Sequence, residues 1–180
     1  GFEPFMTFQR NILSVHSGSH AALERILPST RYVGSKRKLI PWIWNYISAL
    51  DFDTYLEPFG GTGSLAYCAK LHEKEVTYND ILTFNYYTGK ALIENARILL
   101  EPAEIEELVP PVEGLAYPDF ISKNFKGLYF TDKENQWLDV VLTNIKLLRD
   151  PYKKALAMHA LCQSCIIKRP YNLFHRANLY

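Results

Sequence analysis

The sequence predicts an α/β fold in which a short parallel sheet in the first hundred residues is followed by a mostly helical region. Three observations point there. Thr54–Leu56 reads as a short buried strand that ends at Pro58 and a cluster of three glycines, and the helical pattern of Ser64–Leu71 and a second strand, VTYND, follow. Strand, glycine turn, helix and strand make one βαβ unit, and a helical crossover implies parallel pairing. From Glu101 onward the strand signals fade and helical periodicity takes over. The composition, 180 residues with 48% hydrophobic and 22% charged, suits a globular chain and excludes collagen-like, coiled-coil and disordered classes.

The elements follow in order. Residues 1–28 form an extension with one candidate helix near His20–Leu27, capped by Ser19 and closed by Pro28. Residues 29–100 hold the sheet. They open with Gly34-Ser35 and an amphipathic helix from about Lys36 to Leu50, in which Leu39, Ile40, Ile43, Ile47 and Leu50 recur at helical spacing. The βαβ unit comes next, its second strand ending in Asp80, and Ile81–Leu100 reads as mostly helical. Residues 101–180 begin with a loop-rich stretch marked by Pro102, Pro110, Pro111, Gly114 and Pro118. A helix then starts at Thr131, with Glu134 three residues on as a capping box, and another covers 153–167.

Charge and cysteines narrow the function classes. The net charge of +1 is uninformative, but its distribution is uneven. Glu101, Glu104, Glu106, Glu107 and Glu113 form an acidic stretch. No acid occurs from Lys153 to Tyr180, which carries Lys153, Lys154, Lys168, Arg169 and Arg176 with His159 and His175. A basic segment of this kind suits either a polyanion partner or a solvated face. Three cysteines do not make a disulfide framework and fit a reducing cytosol. Cys162 and Cys165 form a CxxC within a helical pattern and lack a second pair, so they read as small apolar residues and not as a metal site. No apolar run is long enough to span a membrane.

The segment that carries chemistry is Glu57-Pro58-Phe59-Gly60-Gly61-Thr62-Gly63. Glycines between a strand and a helix allow positive φ and let a ligand approach the backbone. The following helix presents free N–H groups. Asp80 lies 19 residues after Gly61, at the tip of the second strand, where a carboxylate can accept hydrogen bonds from ribose hydroxyls as in Rossmann-like nucleoside sites. Gly61-x-Gly63-x-x-Ala66 also fits the dinucleotide pattern, so NAD is a competing ligand. Glu57 argues against NAD, because a carboxylate at the mouth repels a pyrophosphate and welcomes an amino group. Phe59 can pack beside a sulfonium.

These residues resemble a known family, the S-adenosylmethionine-dependent adenine-specific DNA methyltransferases. Tyr32-Val33-Gly34-Ser35-Lys36, the turn Glu57–Ser64 and Tyr78-Asn79-Asp80-Ile81 carry the likeness, in the family's order. The resemblance covers residues 29–180. It implies a partial Rossmann-like methyltransferase sheet over 29–100 and a mostly helical target-recognition region over 101–180. It implies that Tyr32 and Lys36 line the methionine end of the cofactor, that Phe59, Gly61 and Gly63 floor the pocket, that Glu57 sits near the amino group, and that Asp80 holds the ribose. The partner it implies is double-stranded DNA, in a bacterial or phage cytoplasm, within restriction–modification or genome marking.

The family's chemistry needs a DPPY-like loop, which accepts hydrogen bonds from the adenine amine and stacks on a flipped base. No such tetrapeptide occurs. Asp150-Pro151-Tyr152 lacks the second proline and lies between two helical patterns. The expectation is therefore the N-terminal part of a longer enzyme, inactive alone and with no catalytic residue assigned. Its short sheet exposes an edge open to self-association. Lys168, Arg169, Asn172, His175 and Arg176 are the candidate DNA contacts, the cations for phosphates and the amide for base edges. The alternatives are a relative that binds DNA without catalysing and, behind it, an NAD-binding domain.

Overall fold

A computed structural model describes residues 35–168, with side chains through Ile166. The expected helix near His20–Leu27, Tyr32 of the candidate cofactor site, and Arg169, Asn172, His175 and Arg176 of the candidate DNA contacts lie outside the described residues.

The expected helix from Lys36 to Leu50 divides in two. A 3-10 turn over Arg37–Leu39 leads into α1, Ile40–Ile47, with Pro41 in its first turn. Proline is tolerated there because its missing N–H has no helical partner in any case. Ile40 and Trp44 are buried, whereas Trp42 and Tyr46 meet edge to face on the outside with ring centroids 5.0 Å apart.

Strand β1, Thr54–Glu57, and strand β2, Glu75–Tyr78, pair in parallel, Thr54 opposite Glu75 and Glu57 opposite Tyr78. Helix α2, Ser64–Leu71, joins them and packs on both. The βαβ unit is thus present, but two details differ from expectation. β1 is not a buried strand: Glu57 is buried, while Leu56 is 62% exposed. Side chains alternate across a strand, so Tyr55 and Glu57 face α2 while Thr54 and Leu56 face away from it, where no described element covers them. β2 ends at Tyr78, and Asp80 stands two residues past it.

Ile81–Leu100 is helical only in its middle. Helix α3, Thr83–Thr88, runs into a π-helical segment, Gly89–Glu94, and the chain then leaves the helix at Asn95. Lys70 of α2 donates to the carbonyls of Leu92 and Asn95 at 2.8 and 2.6 Å, closing that end, and burial pushes its ammonium down to about 8.

The stretch expected to be loop-rich contains two short helices, α4 over Pro102–Leu108 and α5 over Phe120–Asn124. Pro102 opens α4 at its first position and does not break it, and the Glu104 carboxylate accepts from the Glu101 N–H at 2.9 Å. The acidic stretch is partly neutralised from a distance in sequence, because Glu104 pairs with Lys153 from the last helix. Helix α6, Asp132–Leu147, begins with the expected box: Glu134 N–H donates to Thr131 Oγ1 at 3.3 Å, and Thr131 N–H donates to the Glu134 carboxylate at 2.9 Å. Helix α7, Pro151–Lys168, packs on α3, the π segment and α6, and buried side chains from Ile40 to Leu161 form one apolar cluster.

Two residues of the basic segment are engaged within the fold. Lys153 is paired, and His159 is buried on α7. The Thr88 hydroxyl donates to Phe84 O at 3.2 Å, so His159 Nδ1–H donates to Thr88 Oγ1, at 2.9 Å. Burial pushes the imidazole from 6.5 down to about 4. Between those values the unfolded chain binds a proton that the folded chain does not, so stability rises with pH across that window and levels off above it. On going from pH 7 to pH 5 this one group costs about 2 kcal/mol. Urea unfolding at the two pH values should show that loss in the parent and lack it in His159→Gln. An equal loss in both would assign the acid sensitivity elsewhere.

Candidate functional site

The glycine turn between β1 and α2 is held by the residues at the end of β2, one after another. Asn79 N–H donates to Glu57 O and Asn79 O accepts from Gly60 N–H, both at 2.9 Å. Asn79 Nδ2 donates to Pro58 O at 2.9 Å. The Asp80 carboxylate accepts from Gly61 N–H at 2.7 Å, and the Tyr78 hydroxyl donates to Gly61 O at 2.7 Å. The three residues Tyr78, Asn79 and Asp80 thus fasten the turn from Glu57 to Gly61. This fixes its shape before any ligand arrives.

Each glycine has its own reason. Gly61 and Gly63 have φ of 53° and 68°, a region that costs a residue with a Cβ. Gly60 has an ordinary backbone, but a Cβ there would stand 1.9 Å from the Tyr78 ring. On its other side the ring lies against Gly89 of the π segment, where a Cβ would come within 2.4 Å. The aromatic ring is clasped between two bare backbones.

Gly63 is also the N-cap of α2, and a glycine cannot cap with a side chain. Glu57 does so from the end of β1. Its Oε2 accepts from the Ala66 N–H, on the third helical residue, at 2.7 Å. A carboxylate here satisfies an orphan donor and meets the positive end of the helix dipole. Burial raises the Glu57 carboxyl, while the Ala66 hydrogen bond and the positive charge of Lys36 hold it down, with the net shift upward. Lys36 itself is exposed at the start of the 3-10 turn.

Asp80 is brought to the turn as expected, but its oxygens are already engaged within the chain. Oδ2 takes the Gly61 N–H, and Oδ1 takes the Leu82 N–H at 2.9 Å. Burial raises its carboxyl, and hydrogen bonds from Leu82, the Asn85 side chain, Gly61 and Ile81 overcome that and leave it below the usual range. Asn85 is buried in the first turn of α3. Phe59 is 85% exposed and Ile81 96% exposed, so two large apolar side chains flank the turn without cover from the described residues. Openings of this kind, beyond the carboxyl ends of parallel strands, are where α/β sheets bind ligands.

The sequence reading gave no role to Tyr78, Asn79 or Asn85. A signal for Tyr78 was available, since an aromatic residue at a strand end level with a glycine run packs on bare backbone. Of the candidate DNA contacts only Lys168 lies within the described chain, as the last residue of α7. Asp150-Pro151-Tyr152 is a helix start. Asp150 Oδ1 accepts from the Tyr152 and Lys153 N–H groups at 2.8 and 3.0 Å, with Pro151 at the first helical position. Cys162 and Cys165 are half-buried on α7. Among the described residues no group of three or more His, Cys, Asp or Glu side chains could hold a metal ion, and no helix is long and apolar enough to cross a membrane.

The chain is 33% identical over 149 residues to the Type II methyltransferase M2.HphI of Haemophilus parahaemolyticus, covering 82% of this chain and 43% of that protein. It is 27% identical over 130 residues to the Type II methyltransferase M.CviAII of Paramecium bursaria Chlorella virus 1, covering 66% of this chain and 39% of that one. The chain thus spans about two fifths of the length of these relatives. No solved structure matches it. Residues 32–169 match the model of the D12 class N6 adenine-specific DNA methyltransferases, the segment that holds the glycine turn, its β2 fastening and the helices that follow, and the chain belongs to that family.

Proposed function

We propose that the chain is the cofactor-binding and target-recognition part of an S-adenosylmethionine-dependent enzyme that methylates the exocyclic amine of adenine in duplex DNA. Its setting is restriction–modification or genome marking in a bacterial or phage cytoplasm. The observation that carries this reading is the preformed glycine turn, fastened by Tyr78, Asn79 and Asp80 and flanked by exposed Phe59 and Ile81. A bare backbone beside uncovered apolar side chains fits a nucleoside cofactor. The cofactor supplies an activated methyl group. Gly61 and Gly63 keep the backbone clear for it, Phe59 offers a ring beside the sulfonium, Asp80 orients the turn and faces the ribose, and Tyr32 and Lys36 hold the methionine end. Glu57 attracts the amino group through its residual charge while it caps α2.

The dinucleotide alternative loses ground on the same geometry. In a dinucleotide fold the pyrophosphate sits on the N-terminus of the helix after the glycine turn. Here the Glu57 carboxylate already holds the Ala66 N–H at that end.

We read the chain as part of a longer enzyme, because it has no DPPY-like tetrapeptide and spans about two fifths of its relatives. Alone it binds cofactor without turnover. Residues 29–100 are the cofactor part and 101–180 the recognition part, with Lys168, Arg169, Asn172, His175 and Arg176 on the DNA. Each strand has one neighbour among the described residues, which supports self-association through an open edge. Titration calorimetry tests the cofactor reading. S-adenosylmethionine and its demethylated product should bind saturably and NAD should not. Binding of NAD with neither of the others would overturn it.

A further inference from the structure

Helix α1 carries an apolar stripe that the rest of the described chain leaves bare. Ile40 and Trp44 are buried, while Leu39, Trp42, Tyr46 and Leu50 are each more than half exposed. Trp42 and Tyr46 stand one turn apart on the outer face, where their rings touch edge to face. Leu39 precedes that face in the 3-10 turn, and Leu50 follows it in the turn closed by its N–H on Ile47 O. Such side chains make a patch of roughly 300–600 Å², a size that on a soluble chain is often functional. Charge is laid out along the same line. Exposed Lys38 stands just before Leu39, and exposed Asp51 just after Leu50. Among the described residues neither makes an ion pair. Both are set against the helix dipole, which favours an anion at the N-terminal end and a cation at the C-terminal end. The stability of α1 therefore explains neither.

We propose that the α1 stripe is a docking surface for a second copy of this chain, with the two α1 helices lying antiparallel across a two-fold axis near Trp44. The order Lys38, Leu39, Trp42, Tyr46, Leu50, Asp51 has the same pattern from either end: charge, leucine, aromatic ring, then ring, leucine and the opposite charge. In a two-fold contact residue i meets residue j and j meets i. Reversing one helix over the other lays Leu39 of each copy on Leu50 of the other, Trp42 on Tyr46, and Lys38 on Asp51. The helix dipoles then oppose, and each badly placed charge gains a partner. A parallel pair would set lysine on lysine. A uniformly acidic or basic partner would be attracted to one end of the stripe and repelled by the other. The patch is smaller than the about 800 Å² per partner of a standard interface, so the dimer is weak, with a dissociation constant on the order of 10 µM. The contact is a helix face and not the open strand edge, and it does not depend on the cofactor reading above.

Sedimentation velocity of the chain should show monomer passing to dimer between about 1 and 100 µM. Trp42→Ala removes a ring from outside the core, so it should keep the parent's thermal midpoint and weaken the dimer by at least about tenfold. Charge reversal tests the pairing itself. Lys38→Glu sets two carboxylates together at each end of the contact, and Asp51→Lys sets two ammonium groups together. Each variant alone should self-associate on the order of tenfold more weakly than the parent. Mixed one to one, the two should form a heterodimer about as tightly as the parent forms its dimer, because both ends then hold opposite charges. Should Trp42→Ala not fold, the charge reversals decide alone. A chain still monomeric at about 300 µM, a dimer indifferent to Trp42→Ala, or a pair of charge variants that mixing does not rescue overturns the proposal. A dimer that ignores all three changes would place the contact at the strand edge instead.

Discussion

Gly60→Ala should unfold several degrees below the parent and bind S-adenosylmethionine poorly, although the backbone at this position suits alanine. The strain comes from the Tyr78 ring, whose Cε2, Cζ and Cδ2 would lie 1.9, 2.4 and 2.5 Å from the new methyl. The ring has nowhere to retreat. Gly89 closes its far side, and its hydroxyl is tethered to Gly61 O at 2.7 Å. Overpacking of this kind costs about 1–3 kcal/mol, which is roughly 2–12 °C in a domain of this size. Either the ring swings out and releases Gly61, or the turn lifts off β2. Both disorder the surface proposed to receive the cofactor. Thermal unfolding with and without S-adenosylmethionine measures both effects. The double variant Gly60→Ala, Tyr78→Ala separates the causes: if the clash is the whole cost, adding Gly60→Ala to Tyr78→Ala changes almost nothing. A further loss of the same size as in the single variant would place the cost in the turn itself.

That pairing of Gly60 with Tyr78 marks where sequence reasoning reaches its limit. Local signals were legible wherever the physics is local. Ser64–Leu71 and the box of Thr131 with Glu134 follow from glycine punctuation and capping chemistry, and both elements stand where the pattern put them. Pro102 is ambiguous in sequence, since a proline marks a loop as readily as a helix start, and at the first position of α4 it costs no hydrogen bond. The π segment was not legible, since its register depends on Gly89 closing over Tyr78 and on Lys70 collecting the carbonyls of Leu92 and Asn95. His159 counts as a cation in sequence and is neutral in the fold because burial is not visible in a run of residues. The site shows the same division. Glu57, Gly61 and Asp80 were legible as a turn with two acids, but the roles that bring them together were not. Glu57 caps a helix nine positions away, at Ala66, and Asp80 latches Gly61 across 19 positions.

Asp80→Ala should therefore lower the stability of the ligand-free chain as well as its affinity for S-adenosylmethionine. If Asp80 served only the ribose, its loss would weaken cofactor binding and leave the unliganded fold unchanged. The structure gives it a second duty, to join the Gly61 and Leu82 N–H groups through its two oxygens while Asn85 braces it from α3. Hydrogen bonds to a charged acceptor contribute about 1.5–3 kcal/mol each, but this carboxylate is only half-buried and the released N–H groups can reach water, so the expected loss is about 2 kcal/mol in all. Affinity should fall by at least about tenfold, since the turn must then be ordered by the ligand. Asp80→Asn should be intermediate, because an amide has one accepting oxygen and can hold Gly61 or Leu82 but not both. The acid limb supplies an independent check. Because the carboxyl is held below its ordinary 3.8 in the fold, its stabilisation is complete above that value and is lost as the pH falls through the lower folded one. Asp80→Asn should flatten that limb. Unliganded chains of equal stability across the three forms, with affinity alone reduced, would make Asp80 a ribose ligand and nothing more, and would leave the turn to Tyr78 and Asn79.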